Sequence, residues 1–282
     1  MVNKISNPPY FDGLLQRLAN DDARAAAAFS RHVHWGYWPD PPQGTCSPEE
    51  YGEAAERLCQ VLCEVAGIRN GLRIVDVGCG FGGTIASLNE RFGELELVGV
   101  NIDERQLQRA VEMIKPRGSN CIEWLQADAA RIPLEDASSD VVLAVESVFH
   151  FDRAAFMVEA GRLLRSGGNL TLSDFIPSER AVEYLSAIDF SADESVQRSY
   201  GQVDLTCSLE RYRELGLVND LVLTEVKDIT ENTLPTYGFL GASVAGWTES
   251  SEKQLFLRAT QMLEKASRKG MLGYQLLRFD KK

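Results

Sequence analysis

A chain of 282 residues with 44% hydrophobic content can bury a large core, as one α/β domain or as a domain with an appended subdomain, which excludes disordered and fibrous classes. Its net charge of -12 and pI near 4.8 exclude an extended nucleic-acid surface and disfavour acidic membrane surfaces, since both need clustered Lys and Arg. No apolar run has the length of a signal peptide or a bilayer span, and six cysteines (Cys46, Cys59, Cys63, Cys79, Cys121 and Cys207) show no CxxC pair or framework spacing; reduced thiols in the cytoplasm are expected.

An alanine-rich amphipathic helix is predicted over residues 11–30, followed by an ordered aromatic loop, His32-Val-His-Trp-Gly-Tyr-Trp38, which Pro39, Pro41 and Pro42 keep from continuing the helix. Ser47-Pro-Glu-Glu has the form of an N-cap with proline at the first helical position and starts a helix to about residue 66. Cys59 and Cys63 lie one turn apart on it and read as core-facing rather than metal-binding.

From Leu72 short β-rich runs alternate with helical ones, the pattern of a parallel sheet covered on both faces. Strands are predicted at 73–77, 96–100, 122–126, 139–145 and 168–174, with helices at 83–91, 104–113 and 153–164; Gly167-Gly168 is expected to close the last of these. Residues 178–200 and 208–215 read as helical, 221–229 as a strand, 251–269 as a helix and 274–279 as a final strand. The helices flanking the sixth strand have no place in the sheet and are expected to cover its carboxyl edge as a lid. Residues 1–70 are then a helical cap, and 71–282 a core with lid insertions at about 178–206 and 231–269.

The glycine-dense turn in LRIVDVGCGFGG follows the first strand, and Gly78, Gly80 and Gly83 leave room for a ligand to approach the main chain. A nicotinamide dinucleotide is one candidate. Against it, Asp76 within the strand would repel a pyrophosphate, and Asn101 at the end of the second strand is uncharged and suited to ribose hydroxyls. Asp128 after the third strand could accept a hydrogen bond from an exocyclic amine.

With these residues in place, the chain resembles the class I S-adenosylmethionine-dependent methyltransferases. The likeness is carried by VDVGCGFGG, GVNIDERQLQRA, ADAARIPLEDASSDVVLAVESVFHF and LLRSGGNLTLSDF, in that family's order and spacing. The His-Trp-Gly-Tyr-Trp and Glu-Ser-Val-Phe-His segments are similar to bacterial small-molecule methyltransferases that tailor macrolides, ansamycins and indolocarbazoles. The resemblance implies a Rossmann-like, doubly wound, seven-stranded, mostly parallel sheet with an antiparallel last strand and an inserted helical lid. It also implies S-adenosylmethionine as cofactor and S-adenosylhomocysteine as product. Gly78, Cys79 and Gly80 would meet the methionine and ribose portion, Asn101 the ribose, Ile102 the adenine face, and Asp128 with the Ala129 amide the adenine edge. Gln106 is a further cofactor candidate.

Methyl transfer from a sulfonium needs alignment, exclusion of water and sometimes a base. His150 is the expected general base, because a neutral imidazole can take a proton near neutral pH. Asp174 is expected to orient it or to accept a substrate hydrogen bond, and Glu146 to face the sulfonium. Trp35 and Tyr37 are expected near the cofactor and His32 is read as structural; a metal site from His32 and His34 lacks nearby partners and is discounted. Phe190, Tyr200, Tyr237, Phe239 and Trp247 suggest an apolar, aromatic-lined acceptor space. The expected reaction is methylation of a hydroxyl oxygen on a small or medium-sized, mostly apolar metabolite. Carbon or nitrogen methylation, a nicotinamide-dependent oxidoreductase, and a cofactor-holding module without catalysis are the alternatives.

Overall fold

A computed structural model describes residues 9–42, 44–182, 193–244 and 250–282. Helices α1 (Pro9–Ala19), α2 (Ala23–Phe29) and α3 (Pro48–Val65) precede an alternation of β1 (Arg73–Val77), α4 (Gly83–Arg91), β2 (Glu96–Asn101), α5 (Glu104–Met113), β3 (Cys121–Gln126), β4 (Ser139–Val145), α6 (Arg153–Leu163) and β5 (Leu164–Pro177). Then come α7 (Glu194–Tyr200), α8 (Leu209–Leu217), β6 (Leu221–Asp228), α9 (Thr230–Thr233), α10 (Pro235–Ser243), α11 (Ser251–Arg268) and β7 (Leu272–Lys281). The seven strands form one sheet in the order β3-β2-β1-β4-β5-β7-β6. β7 runs antiparallel between β5 and β6, and the other pairings are parallel.

The period of two in each central strand sorts its side chains between two cores. Ile74 of β1 with Val141, Leu143 and Val145 of β4 join Leu58 and Leu62 of α3 on one face. Val75, Val77, Val142 and Ala144 join Phe156 and Met157 of α6 on the other. Strand order reverses direction between β1 and β4, so the loops leaving their carboxyl ends part and open a crevice there. Over that crevice α1 packs on α7, and α7 on α11.

Two local expectations are corrected. The single helix over 11–30 is two helices: Asp21 adopts a left-handed φ of 55°, and Asp22 caps α2 by accepting from the Arg24 and Ala25 N–H groups. Nor do Gly167 and Gly168 cap α6, which ends at Leu163 as the chain becomes extended. They bulge out within β5, where pairing with β4 jumps from Ser139–Leu164 to Val141–Asn169; a Cβ on Gly168 would come within 2.7 Å of the Asp140 carbonyl. Of the predicted helix at 178–200, residues 179–182 and α7 are helical, and 183–192 lie outside the described residues.

Candidate active site

The carboxyl ends of β1 and β4 wall a narrow cavity of about 110 Å³, lined by Asp76, Gly78, Cys79, Gly80, Asn101, Ile102, Gln106, Glu146, Ser147 and His150. The N-terminal segment closes it with Phe11, His32, Val33 and His34. Gly83 permits this closure, since a Cβ there would overlap the Arg31 carbonyl and the His32 ring. Gly80 has φ +56°, and a Cβ on it would meet nothing nearer than Gln106 Oε1 at 3.9 Å, which leaves a bare backbone cradle. Asn101 is preset beside it: Oδ1 accepts from the Ile102 N–H at 2.8 Å, and Nδ2 donates to Gln106 Oε1 at 2.9 Å.

Two buried polar atoms of this cavity have no partner within the protein, Asp76 Oδ2 and His150 Nε2. Burial pushes the Asp76 carboxyl up to about 7. It also pushes Glu146 up to about 8, although the Tyr274 hydroxyl (2.6 Å) and the Trp35 N–H (2.9 Å) both donate to its Oε2. Two carboxyls that burial holds partly neutral, beside an amide pair and a bare glycine cradle, suit in charge and hydrogen bonding a positively charged, hydroxyl-bearing nucleoside.

Glu146, Tyr10 and Val33 belong also to a second cavity, of about 940 Å³, between the sheet edge and the covering helices. Its walls are mostly apolar: Leu14 of α1, Phe29 of α2, Phe149 and Phe175 at the sheet edge, Val196 and Tyr200 of α7, and Phe256 and Leu263 of α11. That volume accommodates a drug-sized or larger ligand. The two cavities meet at Glu146, whose backbone φ of 49° is unusual for a non-glycine residue and is held by its N–H donating to Ser173 Oγ at 2.8 Å.

His150 closes the 3-10 turn Val148–His150 after β4. Its Nδ1 lies 2.9 Å from the Gln202 carbonyl, an acceptor, so Nδ1 carries the proton and Nε2 keeps a free lone pair. Burial lowers this imidazole to about 4, with the Arg153 charge acting the same way, and the ring is neutral at physiological pH.

Asp174 does not reach His150. It is fully buried, with Oδ2 accepting from the Arg153 guanidinium (2.9 Å) and the Tyr212 hydroxyl and Oδ1 from the Phe175 N–H. It lines neither cavity, and burial pushes it up while Arg153 opposes the push. The expected histidine–aspartate pair is therefore absent; the turn after β4 aims His150 at the Gln202 segment instead.

Tyr37 also lies outside both cavities, its N–H donating to the Ala54 carbonyl and its own carbonyl accepting from Arg57. Trp35 lines the larger one, edge-on to Phe175 and Tyr237 and stacked on Tyr274. Asp128 and Ala129 follow β3 beside the end of β2, outside the lining of both cavities, with Asp128 accepting from the Ala130 N–H. Of the predicted acceptor aromatics Tyr200 lines the larger cavity. Tyr237 packs on Trp35 and shares a hydrogen bond with Ser267, and Phe239 stacks on Tyr51; Phe190 and Trp247 lie outside the described residues. Sequence reasoning missed Tyr274, Tyr10 and Phe149. Only the inward period of β7 and the apolar run around His150 hinted at any of them.

Residues 75–172 match the family model described as a methyltransferase domain. The chain is 33% identical over 213 residues to the methyltransferase GfsG of Streptomyces halstedii, covering 74% of this chain and 73% of that one. It is 32% identical over 256 residues to the 27-O-demethylrifamycin SV methyltransferase of Amycolatopsis mediterranei, covering 87% and 84%. In fold it is similar to the (4+2)-cyclase SpnF (TM-score 0.71, 19% identity, 95% of both chains). It is likewise similar to the geranyl diphosphate C-methyltransferase of Streptomyces coelicolor A3(2) (TM-score 0.67, 18% identity, 93% and 97%). With the glycine cradle, the preset Asn101 and relatives matching across most of its length, the chain belongs to the class I S-adenosylmethionine-dependent methyltransferases, in their bacterial natural-product subgroup.

Proposed function

We propose that this methyltransferase acts on a hydroxyl oxygen of a medium-sized, mostly apolar natural product held in the larger cavity. The observation that carries this reading is the meeting of the two cavities at Glu146, within the turn that presents the unpartnered Nε2 of a neutral His150. When bound, S-adenosylmethionine supplies an electrophilic methyl group on a sulfonium whose leaving group is a neutral thioether. His150 Nε2 takes the proton of the acceptor hydroxyl, and the Gln202 carbonyl keeps that nitrogen free to do so. Glu146 faces the cation, fixed by Tyr274 and Trp35, while the apolar walls exclude water and hold the acceptor for in-line attack.

Gly78, Cys79, Gly80, Asn101, Ile102 and Gln106 are the proposed cofactor contacts, with Asp128 and Ala129 at the adenine end. Residues 1–70 and the insertions at about 178–206 and 231–269 act as cap and lid over a core from residue 71. The free cysteines support a reducing, cytoplasmic setting, and no helix among the described residues is long and apolar enough to cross a membrane.

The test is incubation with S-adenosylmethionine and a panel of hydroxylated macrocycles and polycycles, followed by mass spectrometry. One added methyl on oxygen, with equal formation of S-adenosylhomocysteine, is the expected result. Transfer to carbon or nitrogen, or acceptor conversion without S-adenosylhomocysteine, would overturn it.

A consequence for pH follows from Glu146. Its folded carboxyl sits near 8, above its ordinary 4.5, so the unliganded fold holds a proton that the unfolded chain has lost. Stability from this group is complete below about 4.5 and declines as pH climbs through 8. A bound sulfonium favours the ionised form, so at pH 7 cofactor binding is expected to release protons. Calorimetry in two buffers of different ionisation heat should show that release, reduced in Glu146→Gln and smaller for the uncharged product. Equal release by wild type and variant would remove Glu146 as the group facing the cation.

A further inference from the structure

The aromatic loop holds a buried structure that methyl transfer does not use directly. His32 and His34 are 4% and 7% exposed. His34 Nδ1 lies 2.9 Å from the Trp35 carbonyl, His34 Nε2 lies 3.0 Å from His32 Nδ1, and His32 Nε2 lies 2.8 Å from Glu56 Oε2. Both ends of this chain are acceptors. A carbonyl cannot donate, and Glu56 is held ionised by its neighbours: Ser87 Oγ at 2.6 Å and Gln60 Nε2 at 3.1 Å donate to Oε1, and the Arg31 guanidinium lies 3.1 Å from Oε2 as an ion pair without a hydrogen bond. The three contacts each require a hydrogen, whereas two neutral imidazoles bring only two N–H groups.

We infer that His32 and His34 together hold one proton beyond neutrality, shared along this relay against the Glu56 carboxylate, and that the charged relay positions Trp35, in the wall of the larger cavity, where its N–H meets Glu146 at the junction of the two cavities. The groups that face it are Glu56 and Gln60 from α3, Ser87 and Glu90 from α4, and Arg31 from the loop itself. Burial opposes the extra proton and lowers both imidazoles, His34 to about 3. Glu56 supports it: burial pushes that carboxyl up, but the hydrogen bonds from His32 and Ser87 hold it down at about 2. The count decides between them, because two neutral rings would leave one contact with lone pair against lone pair within 3.0 Å in a buried site, where an unmade hydrogen bond is costly.

The relay ends on the residue whose N–H donates to Glu146, and its first ring lies against Gly83 at the start of α4. It thereby couples α3 to the junction of the two cavities. That functional consequence rests on the methyltransferase reading; the proton count does not.

The chain has three histidines, so long-range proton–nitrogen correlation spectra of nitrogen-15-labelled protein resolve them readily. At pH 7 three of the four ring nitrogens of His32 and His34 are expected to be protonated, and one of the two of His150. In Glu56→Gln the amide nitrogen replaces Oε2 and itself donates to His32, so the count falls to two while S-adenosylhomocysteine affinity stays within about twofold of wild type. Glu56→Ala can supply neither charge nor donor, and its affinity is expected to fall roughly fivefold, the worth of one hydrogen bond. Two protonated nitrogens in the wild type, or equal loss in the Gln and Ala variants, would overturn the proposal. Should Glu56→Ala fail to fold, the wild-type and Gln spectra still decide it. Failure of the methyltransferase reading would show separately, as a wild type that binds no S-adenosylhomocysteine.

Discussion

Replacing His150 with Ala is expected to lower kcat by roughly a hundredfold or more, the range over which a positioned base contributes to proton transfer. Binding of S-adenosylhomocysteine should change far less, because the glycine cradle, Asn101 and Glu146 remain. The physical basis is the tautomer. The Gln202 carbonyl keeps the proton on Nδ1, and Nε2 is buried without a partner. Lowered to about 4 from an ordinary 6.5, the ring is a weaker base than most histidines, but it is fully in its basic form at neutral pH. The sign follows: a depressed imidazole pKa shifts the acid limb of the rate profile down, so the limb due to His150 should lie near pH 4 rather than 6.5. A kcat for His150→Ala within tenfold of wild type, measured with saturating acceptor, would end the base assignment.

The second large effect is expected at Arg153, which lies almost wholly inside the protein. Its guanidinium donates to Asp174 at 2.9 and 3.1 Å, to the Asp204 carboxylate and carbonyl at 2.6 Å each, and to the Tyr212 hydroxyl at 3.0 Å. Arg153→Ala leaves Asp174 buried without its counter-charge. Such a loss costs about 3–5 kcal/mol, against which a matched apolar replacement of both partners is often neutral. For a chain of this size that is a fall in Tm of roughly 10 °C, readable by calorimetry. The double variant Arg153→Met, Asp174→Leu should recover most of it. A single variant as stable as wild type would show that the pair is not what holds β5, α6 and α8 together. The cluster also bears on the site, because Asp204 donates its N–H to the Phe149 carbonyl and lies two residues from Gln202, which sets the His150 tautomer.

The correction at Asp174 shows how far one-dimensional reading reaches. A carboxylate at the end of the strand beside β4 is where a catalytic partner would stand, but β5 starts before the expected 168–174 and runs on to Pro177, so that Asp174 lies within the strand and not at its end. What its neighbour would be depended on Arg153 and Tyr212, 21 and 38 residues away, folding back onto the same point. The same holds on a smaller scale at Tyr37: Trp35 and Tyr37 share an aromatic motif, yet hydrogen bonds to Ala54 and Arg57 hold Tyr37 away from both cavities, the larger of which Trp35 helps to wall.

By itself the sequence determined the alternation of strands and helices, the glycine turn after β1, the amide side chains of Asn101 and Gln106 as neighbours of that turn, and the family to which these belong. Those features are local: period, caps and glycines act over a few residues, and a cradle for a ligand is built from consecutive backbone. Tertiary structure alone decided which charges became partners. It joined Glu146 to Tyr274 across 128 residues and to Trp35 across 111, carried Asp174 to Arg153, and aligned Glu56, His32 and His34 into a relay. A side chain's protonation and role follow from its desolvation and its neighbours in space, and spacing along the chain carries neither.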